Sequence, residues 1–247
     1  MRVLDLFCGK EGDDGLHGWS RAFAQRGHEV VTVDLDPSFH PTVAKDIMSI
    51  GASYFDDFGH FDVVLSSPPC EHFSVAAISR NWIVGEGGRL LPRTPAAEKA
   101  CELVEHTLQL IDDLRPARHW MENPRDALRK MKFMEMLPTT LTPLRRTTVS
   151  YCRYGLTMMK PTDIWGVWGS WTGRGCCHNG DPCHTRAPRG SKTPGSTQGM
   201  VGAENRAVIP PLLSMEVCLS AEADLNDRLM PVPVVPAGRG TLEAFFG

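Results

Sequence analysis

Short apolar runs, each closed by glycine, proline or an acidic residue, recur along the first half of the chain. Residues 2–9, RVLDLFCG, read as a first strand ending at Gly9. A helix is expected within LHGWSRAFAQRG, closed by Gly27 as its C-terminal cap. HEVVTVD is a second strand ending at Asp34, and VAKDI puts Asp46 and Ile47 at another strand end. HFDVVLSS, with Phe61, Val63, Val64 and Leu65 apolar, has no room for helical periodicity and reads as a buried strand. Pro68 and Pro69 stop it, so Cys70 follows at its carboxyl end.

Between about Pro95 and Leu114 the period changes. Ala97, Ala100, Cys101, Val104, Leu108 and Ile111 fall on one helical face, which puts Cys101 in the core and His106 at the surface. RHWMENP is a strand that stops at proline and leaves Glu122 and Asn123 at its end, and RRTTVSYCRYG alternates like a strand carrying Arg153. Residues 80–93 are glycine-rich and predict an irregular, mobile lid beside Cys70. AENRAVIPPLLSMEVCLSAEADL returns to helical spacing, with Pro210 and Pro211 near a helix start. PVPVVPAG reads as an extended linker. Strands alternating with helices predict an α/β fold with a mostly parallel sheet.

Open α/β sheets place ligands at the carboxyl ends of their strands, where this chain keeps its reactive groups. Strand, Gly9, helix, strand and Asp34 follow one another as in a nucleotide-type cofactor site. The glycine admits a ligand to the backbone, and the carboxylate accepts hydrogen bonds from ribose hydroxyls. The turn GKEGDDGLHG, which includes Gly12, is long and acidic, and suits a cofactor without phosphates. Cys70 is a candidate nucleophile if its thiolate is accessible, or else a buried cysteine in a proline turn. Glu122, on a neighbouring strand end, could meet it.

Charge and composition narrow the class. No apolar run of the 247 residues approaches membrane-spanning length, and the chain opens on strand-like MRVLDLF. A soluble, cytoplasmic protein with eight reduced cysteines is expected. The net charge is −3, yet eight Lys/Arg against two acidic residues lie between Arg145 and Lys192, with three of the six tryptophans. A basic, aromatic-rich segment is what a nucleic-acid face needs, and the alternative is a solvated basic loop.

With these residues in view, the chain resembles the cytosine-5 DNA methyltransferases over roughly residues 1–220. DLFCG is similar to the family's first cofactor motif, PPCEHFS to its nucleophile motif, ENP to its Glu-Asn motif and YCR to its Gln-x-Arg motif. GAENRAVIPPLL, with Asn205, resembles the closing segment that packs back on the cofactor site. The resemblance implies a Rossmann-like methyltransferase using S-adenosyl-methionine, held by Phe7, Gly9, Gly12, Asp34, Leu35, Asp46, Ile47, Pro68 and Asn205. It implies Cys70, Glu122, Asn123 and Arg153 as the catalytic set acting on a flipped cytosine of DNA.

The pattern looks like small viral or phage members, placed in a host cytoplasm beside the nucleoid and paired with restriction enzymes. An RNA (tRNA) cytosine-5 methyltransferase, a non-catalytic nucleic-acid-binding relative and transfer of a modified alkyl group remain open. Departures stand out: KEGDDGLH interrupts the glycine motif, Tyr151 replaces the Gln, and Gly155 replaces a second arginine. The expected organisation is a catalytic core over 1–154, a small loop-rich recognition module over 155–199, a closing helix over 200–230 and a tail over 231–247.

Two further readings come from the second half. CCHNGDPCH offers Cys177, Cys183 and His184 as zinc ligands, with Cys152 as a fourth, against a reading of adventitious thiols in a glycine-rich loop. RGTLEAFFG is similar to sliding-clamp-binding peptides through Leu242, Phe245 and Phe246. The competing reading packs these rings on the parent domain.

Overall fold

The structure is a computed structural model, and it describes residues 1–74, 77–136, 145–167, 169–178, 180–184 and 207–229. Asn205, Leu242, Phe245 and Phe246 lie outside the described residues, as does the linker. Nine strands form: β1 (Arg2–Leu6), β2 (Glu29–Asp34), β3 (Val43–Ala44), β4 (Val63–Ser66), β5 (Trp82–Val84), β6 (Leu90–Pro92), β7 (Arg118–Pro124), β8 (Arg145–Ser150) and β9 (Pro161–Val167). Seven of them make one sheet in the order β3-β2-β1-β4-β7-β9-β8. The first five run parallel, and β9 pairs antiparallel with both β7 and β8. The fold is Rossmann-like α/β. Its helices are α1 (Arg21–Gln25), α2 (Ile78–Asn81), α3 (Pro95–Leu114), α4 (Phe133–Met136) and α5 (Pro211–Leu229).

Side chains alternate across the sheet. Val3, Val63, Leu65 and Trp120 face one core with Trp19, Phe23, Leu213 and Val217. Leu4, Leu6, Val31 and Val64 face another with Leu110 and Ile111 at the end of α3. A third core joins the start of α3 to Phe73, Met121 and Trp165. Thr94 caps α3 by accepting from Ala97 N at 3.2 Å, with Pro95 at its first position. Because period-two alternation puts Glu122 on the same side as Trp120, its carboxylate enters the core beneath α1 and α5. Ser214 of α5 clips that layer together, donating to Trp19 O at 2.8 Å and accepting from Ala22 N at 3.1 Å.

Several expectations change. The segment 80–93 is an antiparallel hairpin of β5 and β6 instead of an irregular lid, because Trp82 and Leu90 are buried and outweigh the glycines. Those glycines serve its turn, where Gly87 and Gly88 take φ of 69° and 77°. The strand of RRTTVSYCRYG stops at Ser150, and Tyr151–Tyr154 form a 3-10 turn carrying Arg153. The boundary placed at residue 155 cuts through the sheet, since β9 is a central strand with Thr162, Asp163 and Ile164 fully buried. His106 is partly buried, its Nε2 near the carbonyls of Ile47 and Ile50 at 2.9 and 3.0 Å.

Asp5 is an unusual core residue. It is fully buried in β1, one oxygen accepts Ser20 N at 3.2 Å, and the other has no hydrogen-bond partner. Burial pushes its pKa from 3.8 up to about 7. A raised native pKa means that the folded state binds the proton more tightly, so stability is highest below the unfolded value and falls as pH rises to about 7. Asp5→Asn should remove this slope, and wild type should lose on the order of 3 kcal/mol relative to it between pH 4 and pH 8. Urea melts across that range check it. Leu213→Ala, at 0% exposure, should cost about 2–5 kcal/mol by the same measurement. Leu212→Ala next to it, 48% exposed, should stay within about 0.5 kcal/mol.

Candidate functional site

The carboxyl ends of β1, β2, β4 and β7 form one rim. β1 ends in Phe7 and Gly9, both at positive φ (60° and 66°), so the chain turns sharply away from the sheet. Such a conformation is strained for Phe7, a bulky non-glycine residue. Gly9 N donates to Asp34 Oδ2 at 2.9 Å, and Asp36 N donates to the other oxygen at 3.0 Å. His17 Nδ1 lies 2.8 Å from Gly9 O, so the interrupting KEGDDGLH segment folds back on the turn. There Gly12 N bonds Leu16 O at 3.0 Å, and Glu11 bridges His17.

Leu35 follows Asp34 and is 69% exposed. Asp46 is exposed and accepts Met48 N at 3.0 Å, whereas Ile47 is buried among the sheet side chains. A cofactor of ribose and a planar base fits this donor set. Nothing lies within 4 Å of the Cβ position of Gly9, a carboxylate stands beside it, and an exposed apolar surface adjoins both.

β4 and β7 are parallel neighbours, with Ser66 opposite Met121. That register brings the proline turn after β4 against the end of β7, where Asn123 Nδ2 donates to Pro68 O at 2.9 Å. Asn123 is fully buried, and its Oδ1 has no hydrogen-bond partner. The Cys70 turn is braced from the other side by Trp82 Nε1, which donates to His72 O at 2.7 Å, and by Phe73 stacked on Trp82.

Glu122 is 5% exposed and occupied. Tyr151 Oη donates to its Oε1 at 2.8 Å, and Lys160 Nζ lies 3.4 Å from the same oxygen. Lys160 is itself 6% exposed and sits 4.5 Å over the Tyr151 ring. Burial pushes the Cys70 thiol up from its ordinary value, the Glu122 carboxylate pushes it the same way, and Lys160 pulls it down. Cys70, Glu122 and Lys160 thus share one electrostatic neighbourhood. The Tyr151 hydroxyl is held well above its usual range by burial and by Glu122.

Arg153 is placed elsewhere. Its guanidinium pairs with Asp181 at 3.3 Å instead of with Glu122. Tyr151 stood out in the sequence only as a departure, and Lys160 not at all. Lys160 precedes a proline in a glycine- and proline-rich stretch, and no spacing links it to Glu122.

Cys152, Cys177, Cys183 and His184 converge on the other flank of that turn, their ligand atoms all within 4.8 Å of one another. The three thiols and one imidazole are neighbours: Cys152 Sγ lies 3.1 Å from Cys177 Sγ and 3.5 Å from Cys183 Sγ, and His184 Nδ1 lies 3.6 and 3.5 Å from Cys177 and Cys183. Tetrahedral zinc, with bonds of about 2.3 Å to sulfur and about 2.0 Å to nitrogen, sets sulfur–sulfur spacings of about 3.8 Å and sulfur–nitrogen spacings of about 3.5 Å. The His184 spacings match, and the 3.1 Å sulfur pair would have to open on binding.

The basic segment is less open than its composition implies. Lys160 is buried, Arg153 pairs with Asp181, and Arg174 pairs with Glu216 at 3.1 Å. Arg145 and Arg146 are exposed and line a groove of about 390 Å³ with Trp171. That groove lies toward the amino end of β7, because Arg145 pairs with Gly166 and Gly166 with Trp120. Among the described residues no helix is long and apolar enough to cross a membrane.

No family model matches the chain. Among solved structures it is similar to a methyltransferase of Entamoeba histolytica, EhMeth, at 13% identity and TM-score 0.49, covering 67% of this chain and 52% of that one. It is also similar to the Dnmt2 methyltransferase of S. pombe at 17% identity and TM-score 0.44, covering 70% and 52%. Among curated proteins it is 31% identical over 159 residues to the "Probable DNA (cytosine-5)-methyltransferase" of Frog virus 3 (isolate Goorha). That match takes in 62% of this chain and 64% of the viral protein, so the chain spans just under two thirds of its relative. The likeness to cytosine-5 DNA methyltransferases carried by the ordered motifs is thereby joined by a sequence similarity to a viral protein of that name.

Proposed function

We propose that the protein transfers a methyl group from S-adenosyl-methionine to carbon 5 of cytosine in DNA. The observation that carries this reading is the placing of the Cys70 turn after β4 beside the end of its parallel neighbour β7, where Glu122 is buried against Lys160. The viral relative supports the same choice of substrate.

Carbon 5 of cytosine becomes nucleophilic only after addition at carbon 6. The Cys70 thiolate adds there, forming a carbon–sulfur bond and moving the ring double-bond electrons toward carbon 5. A proton shared between Glu122 and ring nitrogen 3 keeps the charge that develops from being left unpaired. The cofactor, when bound, supplies an electrophilic methyl group on a sulfonium. Loss of the carbon 5 proton then expels Cys70 and restores the ring. Both carbons are hidden in a duplex, so the base is flipped out. Asn123, whose Oδ1 is unpartnered, contributes to the pocket, and Arg153 contributes once substrate draws it from Asp181.

Phe7, Gly9, Gly12, Asp34, Leu35, Asp46, Ile47, Pro68 and Asn205 form the cofactor side in this reading. Residues 155–199 outside β9 serve target recognition, and residues 200–230 close the core. Cys152, Cys177, Cys183 and His184 hold a structural zinc ion.

Because burial holds the thiol protonated, Lys160 has a specific part: its charge favours the thiolate and offsets Glu122. An oligonucleotide carrying 5-fluorocytosine, whose fluorine cannot leave as a cation, should be retained covalently by wild type and not by Cys70→Ala. Release of the wild-type protein under denaturing conditions would refute the adduct, and parallel arms with DNA and tRNA separate the two substrate classes. Lys160→Met removes the cation and raises the thiol pKa further, so single-turnover rates at pH 7 should fall about 10- to 100-fold and recover partly as pH rises. A pH profile superimposable on wild type would remove Lys160 from this role.

A further inference from the structure

We infer that metal binding at the Cys152 cluster positions the base pocket, by holding the Tyr151–Tyr154 turn so that the Tyr151 hydroxyl reaches Glu122. The kinetic part of this inference rests on the methyltransferase reading; the metal and its mechanical effect do not.

The four ligands come from two segments well separated in the sequence. Cys152 lies in the turn, and Cys177, Cys183 and His184 lie in the loop that follows β9. Between residues 171 and 184 that loop buries only Trp171 and Cys177 among its described residues. Irregular backbone with so small a core needs another tie, and a metal can supply one. All eight cysteines are free thiols. Three of them, with an imidazole nitrogen, keep their ligand atoms within 4.8 Å of one another and make a Cys₃His set. The other grouping of ligand types, His28, Cys218 and Glu222, differs in kind. There Arg26 already takes both Glu222 oxygens at 2.7 Å, and His28 adds a contact at 2.8 Å.

The loop grips successive points of the turn. Ser150 N donates to Gly175 O at 3.1 Å, Cys177 N donates to Ser150 Oγ at 3.1 Å, and Arg174 N donates to Tyr154 Oη at 2.8 Å. Tyr151, between Ser150 and Cys152, donates to Glu122 at 2.8 Å. The turn is too short to move at Cys152 without moving Tyr151. A bound ion therefore fixes, at one remove, which oxygen of Glu122 is engaged and which is left for substrate. Tyr151 is here a positioning residue.

The test uses the full chain purified without chelator or added metal. Elemental analysis should give one zinc per chain, lost in Cys183→Ser. Hydrogen exchange should then rise in residues 150–154 while α3 is unchanged. Tyr151→Phe and Cys183→Ser should each lower the single-turnover rate about tenfold. Their combination should be no worse than the weaker single variant, and S-adenosyl-methionine affinity should stay within about twofold, since positions acting through one interaction are not additive. Zinc-free protein, or a Cys152–Cys177 disulfide in its place, overturns the metal site. Zinc without the exchange change, or with additive rate losses, overturns the coupling alone. If no nucleic acid is methylated at all, the methyltransferase reading fails and the exchange measurement decides the coupling.

Discussion

A carboxylate buried at the end of a central strand is the constraint around which this molecule is arranged. Removing Glu122 from water costs several kcal/mol unless hydrogen bonds and an opposite charge replace the solvent. Tyr151 and Lys160 do so, one from the turn after β8 and the other from the residue before β9. The antiparallel pair β8–β9 is thus more than an edge extension of a parallel sheet. It carries the two groups that make burial of Glu122 tolerable, and its register against β7 sets their height.

The same carboxylate connects structure to chemistry. It pushes the Cys70 thiol up while Lys160 pulls it down, so the electrostatics of the proline turn are set from strands that Cys70's own sequence neighbourhood does not include. Asn123 locks the two strand ends together through Pro68 O. On the cofactor side, Asp34 has a comparable part: by accepting Gly9 N it holds the glycine turn in the shape that leaves open space at Gly9. In both places a buried or half-buried acid anchors the backbone or side chains around it.

The C-terminal helix completes the core that Glu122 faces. Leu213, Val217, Cys218 and Ala221 cover the sheet on one stripe, and Asp224 ties Arg118 at the amino end of β7 with a 3.1 Å ion pair. Ile209 approaches Gly18 so closely that a Cβ there would stand 3.3 Å from it. Helix α5 is therefore part of the layer that Glu122 faces, which explains why a division into core and appended closing helix describes the order of the sequence better than it describes the solid.

Local pattern by itself determined the strands β1, β2, β4 and β7, helix α3 with its Thr94–Pro95 start, and the placing of Asp34, Cys70, Glu122 and Asn123 at strand ends. These depend on hydrophobic period and on chain breakers, which neighbouring residues encode. The grouping of Cys152, Cys177, Cys183 and His184 was also legible, because three of them crowd into a few positions. Pairing between distant segments was not. That residues 161–167 would enter the sheet, that 80–93 would pair as a hairpin, and that Lys160 and Tyr151 would close on Glu122 are long-range register decisions. Arg153 shows the limit most plainly: its motif position is readable in the chain, but its partner, Asp181, is chosen by the packing of a loop that carries no periodic signal.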